Sequence, residues 1–393
     1  MGSVSEHFLD FAVLFAIVAV QWLIARAMLR VAARRFGSGT MRALRVVPWL
    51  AAAWMLAGFL VSFPGVHPGL PLWLSGLLRG STYIWVLCST AGYFIQWGFH
   101  QLAQQTGGVT DPGRRKLLHM AGTAAAGAPF AAIAFGALIG RTDFRVREID
   151  IPIEDLPPDL VGLRITLLSD IHLSPYLSES EFARAIDMAN ETKPHLALLT
   201  GDLITTASDP LDACLRQAAR LRSDAGTWGC LGNHEIYAGA QDYVEQHGAR
   251  AGLRFLRSAN QVLRFGNARL NLAGVDYQSI RRPERYLQGV ERLVVPGAVN
   301  LLLSHNPDVF PVAARKGYDL TVAGHTHGGQ VNVEILHQQW NIARFLTPYI
   351  YGVYETREPR PSRVYVTRGI GSVGLPARIG APPEIAALRL RKA

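Results

Sequence analysis

Apolar positions follow two different patterns along the chain, and the change falls near Arg141. Upstream lie four apolar stretches, roughly Phe8–Ala25, Val46–Phe63, Ser81–Phe99 and Leu117–Ile139. Each approaches the length of about 20 residues that a membrane-spanning helix needs. Downstream, short apolar runs alternate with amphipathic ones. Leu163–Ser169, Leu196–Thr200, Trp228–Leu231, Leu270–Gly274, Asn300–Ser304, Leu320–Ala323 and Arg363–Thr367 read as buried strands with turn signals at their ends. Glu179–Asn190 and Leu211–Arg222 read as amphipathic helices. Strands alternating with helices predict an α/β domain. The expected division is a membrane anchor over residues 1–141 and a second domain over 142–393, joined by a short linker around Gly140–Asp143.

Composition sharpens this division. With 49 % hydrophobic and 18 % charged residues among 393, the chain is too apolar to be disordered. Three cysteines, Cys88, Cys214 and Cys230, make neither a disulfide framework nor a thiolate zinc site. The net charge of +9 is unevenly placed: residues 1–141 hold 11 Lys and Arg against 3 Asp and Glu, and the rest hold 28 against 27. The excess therefore belongs to the apolar part, where it reads as topology, and a nucleic-acid partner is not expected. Arg26, Arg30, Arg34, Arg35, Arg42 and Arg45 lie between the first two spans, and Arg114, Arg115 and Lys116 precede the fourth. Basic loops stay in the cytoplasm, so a multi-pass protein of the inner or plasma membrane is expected, with its C-terminal domain on the periplasmic or extracellular side. Arg114-Arg115-Lys116-Leu117-Leu118 also looks like a twin-arginine export signal, which would send the domain the same way. Only Asp10 sits clearly inside a span, so an anchor fits better than a transporter.

The chemistry collects at strand ends, where open α/β sheets bind ligands. Ser169-Asp170-Ile171-His172, Gly201-Asp202, Gly232-Asn233-His234-Glu235, Ser304-His305 and Gly324-His325-Thr326-His327-Gly328-Gly329-Gln330 follow five of the strands. Asp170 with His172, and His325 with His327, are spaced so that each pair can converge on one ion, and Asp202 has two oxygens with which to bridge two ions. Imidazole and carboxylate without thiolate suit Zn, Fe or Mn. His234 adds an imidazole able to hold or deliver a proton, and Glu235 would support the ligands from behind.

This ordered set resembles the calcineurin-like metallophosphoesterases, over about residues 145–393. His325-Thr326-His327-Gly328-Gly329-Gln330 and Thr367-Arg368-Gly369-Ile370-Gly371 look like the bacterial membrane-associated branch. The resemblance implies a four-layer α/β/β/α sandwich, here preceded by about four transmembrane helices, and two divalent ions (Mn, Fe, Zn or Co). By the family pattern one ion takes the positions of Asp170, His172, Asp202 and His327. The other takes Asp202, Asn233, His305 and His325, with His234 assisting the phosphoryl group. The implied activity is metal-dependent hydrolysis of a phosphodiester or pyrophosphate by a metal-bridging hydroxide.

Other positions carry less. His195, His247 and His337 lack a motif partner, and Cys214 and Cys230 read as buried small residues. Gly369–Gly374 fits either a phosphate-facing run of amides or a tight turn. Trp340–Tyr354, with Phe345, Tyr349 and Tyr351, fits either a packed loop or an apolar lip facing lipid. The expected substrate is an envelope phosphoester, most readily a lipid-linked one. Two alternatives stay open: a tethered phosphodiesterase for small soluble substrates, and a non-catalytic membrane sensor or scaffold that binds phosphorylated ligands. The sequence leaves metal identity and oligomeric state undetermined.

Overall fold

A computed structural model describes residues 3–34, 36–62, 69–105, 112–335 and 338–393. The chain divides into two compact units, Met1–Phe135 and Gly136–Ala393.

The first unit is helical: Ser3–Ala33, Val47–Leu60, Leu72–Gln105 and the greater part of Pro112–Leu138. Large apolar side chains point outward along these helices, with Phe15, Trp49, Leu50 and Leu117 each well over half exposed. Polar side chains pair between helices instead. Gln21 Nε2 donates to Ser89 Oγ at 3.0 Å, and Trp85 Nε1 donates to Gln21 Oε1 at 3.0 Å. Outward apolar faces with inward hydrogen bonds are how helices associate in lipid. Among the described residues, three helices are long and apolar enough to cross a membrane: Phe15–Ala33, Ser38–Leu60 and Pro112–Thr142. The expected count of four is therefore not reached. The third stretch, Ser81–Phe99, does lie within one unbroken helix of 34 residues. Its Ser81, Thr82, Ser89, Thr90 and Gln96 interrupt the apolar run along that helix.

In the second unit the strands are β1 (Arg145–Ile153), β2 (Arg164–Leu168), β3 (Leu196–Thr200), β4 (Thr227–Cys230), β5 (Leu253–Phe255), β6 (Ala259–Phe265), β7 (Ala268–Gly274), β8 (Val299–Leu303), β9 (Leu320–Ala323), β10 (Gly352–Thr356), β11 (Ser362–Val366) and β12 (Glu384–Lys392). They form two six-stranded sheets, in the orders β1-β12-β2-β3-β4-β5 and β10-β11-β9-β8-β7-β6. Strands β2 to β5 run parallel, as do β7, β8, β9 and β11. Alternate residues point to opposite faces of a strand, and that period sorts the core into layers. Ile165, Leu167, Leu196 and Leu198 of the first sheet pack against Leu270, Leu301, Leu303 and Val322 of the second. The opposite face of the first sheet, with Leu168, Ala197 and Leu199, is covered by Phe182, Ile186, Cys214 and Val244 from the helices Glu179–Glu191, Leu211–Ala218 and Gln241–Arg250. Ala273 and Leu302 on the far face of the second sheet meet Val309 and Ala313, and Val364 and Val366 meet Phe310 and Ala314. The result is the expected four-layer α/β/β/α sandwich.

The helix beginning at Leu211 ends at Ala218, short of the expected Arg222. Its last turn tightens: the N–H groups of Arg220 and Leu221 bond three residues back, to Gln217 O and Ala218 O.

Candidate metal centre

The parallel strands of both sheets deliver their C-terminal ends to one place. Asp170 and His172 follow β2, Asp202 follows β3, Asn233 to Glu235 follow β4, His305 follows β8, and His325 and His327 follow β9. Hydrogen bonds tie the two sheets together there. His305 Nδ1 donates to Thr200 O at 2.7 Å, and the His325 N–H reaches Asp170 Oδ1 at 2.9 Å and Oδ2 at 3.1 Å.

The backbone is bent to aim these side chains. Asp170, His172, Asp202, His325 and His327 all take positive φ, between 46° and 76°. Each such residue costs about 1–3 kcal/mol, and such conformations persist where the surrounding structure holds them for function. Close approach adds to the constraint. A Cβ at Gly324 would stand 2.2 Å from Asp170 Oδ2, and one at Gly232 would stand 2.1 Å from Asp202 Oδ1.

Three sets of side chains could each hold a metal ion: Asp170, His172 and His327; His172, Asp202 and His234; and Asp202, His305 and His325. Within each set the candidate ligand atoms lie within 4.8 Å of one another. Asp202 Oδ2 is 3.0 Å from His305 Nε2 and 3.5 Å from His172 Nε2, and Asp170 Oδ1 is 3.4 Å from His327 Nε2. Asp202 belongs to two of the sets. The donors fit a borderline divalent ion, all being imidazole nitrogen or carboxylate oxygen. The fit has a sharper test in the buried polar atoms: His172 Nε2 and Asn233 Oδ1 are buried with no hydrogen-bond partner among the described residues. Native interiors rarely leave such atoms unpaired, and an ion would satisfy both.

A supporting layer fixes the ligands. His234 Nδ1 donates to Thr205 O at 2.6 Å, and His172 Nδ1 lies 3.2 Å from Thr205 Oγ1. Metal-binding imidazoles are oriented by just such bonds on the other nitrogen. The buried Glu235 carboxylate takes the N–H groups of Asp202, Leu203 and Gly232 at 2.9, 2.7 and 2.8 Å. Electrostatics follow from burial and crowding. Burial, helped by neighbouring imidazoles, pushes His172 and His325 down to about 3. Burial also disfavours a charged His305, but the Asp202 and Asp170 carboxylates outweigh it and push His305 up to about 10. His305 Nε2 lies between the two carboxylates, 3.0 Å from Asp202 Oδ2 and 4.0 Å from Asp170 Oδ1.

All eight residues singled out from the sequence therefore meet here, and Glu235 stands behind them. Arg378, which the sequence reading missed, backs the site: it is buried, and its guanidinium donates to Gly371 O at 2.8 Å and touches His327 Nδ1 at 3.4 Å. Gly369–Gly374 is a turn rather than a phosphate cradle at its start, since the Ile370 and Gly371 amides donate to Ser169 O and Asp170 O. His195 Nδ1 accepts the Arg164 N–H and His247 stacks on Tyr243, both away from the centre. Tyr349 packs against Phe310, while Phe345 is 84 % exposed. His337 and the Trp340 side chain lie outside what is described.

A four-layer sandwich with clustered imidazoles and carboxylates at its strand ends defines a class of metal-dependent domain. Residues 163–329 match the family described as calcineurin-like phosphoesterase. The chain is 30 % identical over 263 residues to a zebrafish (Danio rerio) protein named as a transmembrane protein with metallophosphoesterase domain, covering 63 % of this chain and 58 % of that one. An uncharacterized metallophosphoesterase of Campylobacter jejuni is 29 % identical over 250 residues, covering 63 % of each chain. One from Aquifex aeolicus is 29 % identical over 253 residues, covering 63 % of this chain and 92 % of its own. The match thus spans less than two thirds of the zebrafish and Campylobacter proteins.

Proposed function

We propose that this protein is a membrane-anchored, metal-dependent phosphoesterase that hydrolyses a phosphodiester or pyrophosphate bond in a cell-envelope substrate. Asp170, His172, Asp202 and His327 would hold one divalent ion, and Asp202, Asn233, His305 and His325 a second, with the Asp202 carboxylate common to both. The observation that carries this reading is the pair of partnerless buried ligand atoms, His172 Nε2 and Asn233 Oδ1, beside Asp202. Bound divalent ions supply charge neutralisation at a phosphoryl group and a water acidified toward neutral pH.

The chain's own residues do the remaining work. Glu235 fixes the main chain of Asp202, and Asp202 Oδ1 in turn takes the His234 N–H at 3.0 Å. His234 is thereby set in place, and its Nδ1 is committed to Thr205 O. That leaves Nε2 to hold or deliver a proton to a phosphoryl oxygen or a leaving group. The domain would face the periplasm or the exterior in a multi-pass protein, a reading supported by the basic loops when all four long apolar helices cross. Exposed Phe345 and Leu346, at 84 % and 70 %, support a lipid-linked substrate, since apolar side chains of this kind partition into a membrane interface.

The test is metal analysis of the full-length protein in detergent, loaded in turn with Mn, Fe, Zn or Co, followed by a phosphoester panel. The panel includes one headgroup presented both as a soluble analogue and on a bilayer. Two ions per chain and faster turnover on the bilayer are expected. A fully loaded protein that hydrolyses nothing would overturn the enzymatic reading in favour of a sensor.

A further inference from the structure

Two arginines are buried beside the metal centre, and their circumstances differ. Arg378 is spent: its guanidinium donates to the carbonyls of Gly371 at 2.8 Å and Ala381 at 3.1 Å. Arg368 is not. It sits in the turn after β11, only 7 % exposed, and its Nε is buried with no hydrogen-bond partner among the described residues. Glu384 Oε2 stands 3.8 Å from that nitrogen, within reach of an ion pair but too far for a hydrogen bond. The other oxygen of Glu384 is occupied by the Tyr365 hydroxyl and Thr367 Oγ1. A guanidinium carries five donors, and burying one without acceptors is costly.

The surroundings hold Arg368 beside the ligands but outside their set. A Cβ at Gly328, next to His327, would come within 2.7 Å of Arg368 Cγ, so the arginine stem lies directly over that glycine. A Cβ at Gly369 would come within 2.6 Å of Asp170 Cβ. The guanidinium carbon then rests 4.1 Å above the centroid of the Tyr351 ring, which fixes the plane of the fork. A planar fork, held in place and with its Nε lacking a hydrogen-bond acceptor among the described residues, is suited to bidentate recognition of an oxyanion.

We propose that Arg368, stacked on Tyr351, recognises a second phosphoryl group of the substrate, adjacent to the one that reacts, so that the site selects diphosphate-type compounds over simple esters. This rests on the phosphoesterase reading for the word substrate, but the binding itself can be measured without turnover.

The test uses the full-length protein in detergent, loaded with Mn, and calorimetric titration with methylenediphosphonate and with methylphosphonate. Metal content is measured before and after each titration. Arg368→Gln should weaken the diphosphonate about 10- to 100-fold, the range of a hydrogen bond to a charged partner, and change methylphosphonate by less than about threefold. Arg368→Lys, which keeps the charge without the fork, should fall between. Glu384→Gln should leave both affinities within about twofold. Equal weakening of both ligands by Arg368→Gln would overturn the proposal, because Arg368 would then hold the reacting group. So would unchanged diphosphonate affinity, the same loss in Glu384→Gln, or a wild-type protein that does not bind the diphosphonate. Arg368-dependent binding in a protein that hydrolyses nothing would uphold this inference and sink the phosphoesterase reading. Hydrolysis of esters with Arg368→Gln indifferent would do the reverse.

Discussion

Glu235 and Asp202, two buried carboxylates, are joined through the main chain: Glu235 Oε2 accepts the Asp202 N–H at 2.9 Å while Oε1 accepts that of Leu203 at 2.7 Å. Crowding of this kind raises the Glu235 carboxyl above its ordinary value, burial being the chief cause and the Asp202 charge the next. The structure tolerates it because three N–H groups need that acceptor. Glu235→Ala should leave them without a partner at about 1–3 kcal/mol each before relaxation. The expected outcome is a lower melting temperature together with lost metal stoichiometry. A variant with wild-type stability and full metal content would remove Glu235 from the account.

Asp202→Ala and His234→Ala should separate holding metal from moving a proton. The first removes the carboxylate common to two ligand sets and should abolish both metal content and activity. The second should keep metal and lose turnover by about 10²–10⁴-fold, the range for a general acid. Metal analysis and kcat on the same preparations give the comparison. Full metal and wild-type rate in Asp202→Ala would end the bridging assignment.

Gly324→Ala tests how tightly the ligand turns are packed. The added Cβ would meet Ser169 Oγ at 2.0 Å and Asp170 Oδ2 at 2.2 Å, so Asp170 must move. Overpacking of this kind costs about 1–3 kcal/mol. The larger expected effect is on metal affinity, by equilibrium dialysis. An unchanged dissociation constant would mean that the turn yields freely.

Ser178 and Glu181 form a capping box at the start of Glu179–Glu191, and Arg141 reaches Glu181 Oε1 at 3.1 Å. Burial alone would raise the Glu181 carboxyl, but the Ser178 N–H and the Arg141 guanidinium outweigh it and hold the carboxyl below its ordinary value. A depressed acid stabilises the fold above its unfolded value of 4.5, and that contribution fades as pH falls through the lower, folded value. Glu181→Gln should therefore cost about 1 kcal/mol at pH 7, a cap-sized effect discounted for solvent screening. The gap between variant and wild type should close in acid melts below pH 4.5. A gap that persists unchanged in acid would assign the effect to something other than charge.

The proposed topology predicts that a reporter fused after Arg141 is active outside the cytoplasm. Protease added to spheroplasts should cut the domain. Protection, with a control that is cut, would reverse the orientation.

The metal centre was legible because its residues are local signals, each a polar cluster in the turn ending an apolar run. Leu196–Thr200 and Leu320–Ala323 form as strands with the very bounds expected. What escaped was what depends on distant partners. β1 and β12 went unread because each alternates charged with apolar residues, and β1 is mostly exposed along its first half. Their register, Arg145 opposite Glu384 through Ile153 opposite Lys392, joins residues with no local cue to one another. Arg378 escaped, and Arg368 entered only as part of a motif with no role of its own, for a related reason. An arginine in a glycine-rich turn looks solvated until the fold buries it.

That pairing also sets a timetable. β12 lies between β1 and β2 and bonds to both, so the first sheet is discontinuous until residue 392 has been made. The helices of the first unit emerge from the ribosome long before. A protein of the proposed orientation would then feed its second unit through the membrane as an open chain, with β1 and β2 waiting on opposite sides of a gap. Sheets closed by such distant segments are slow to form. Truncation within the last strand would thus leave β1 unjoined to β2.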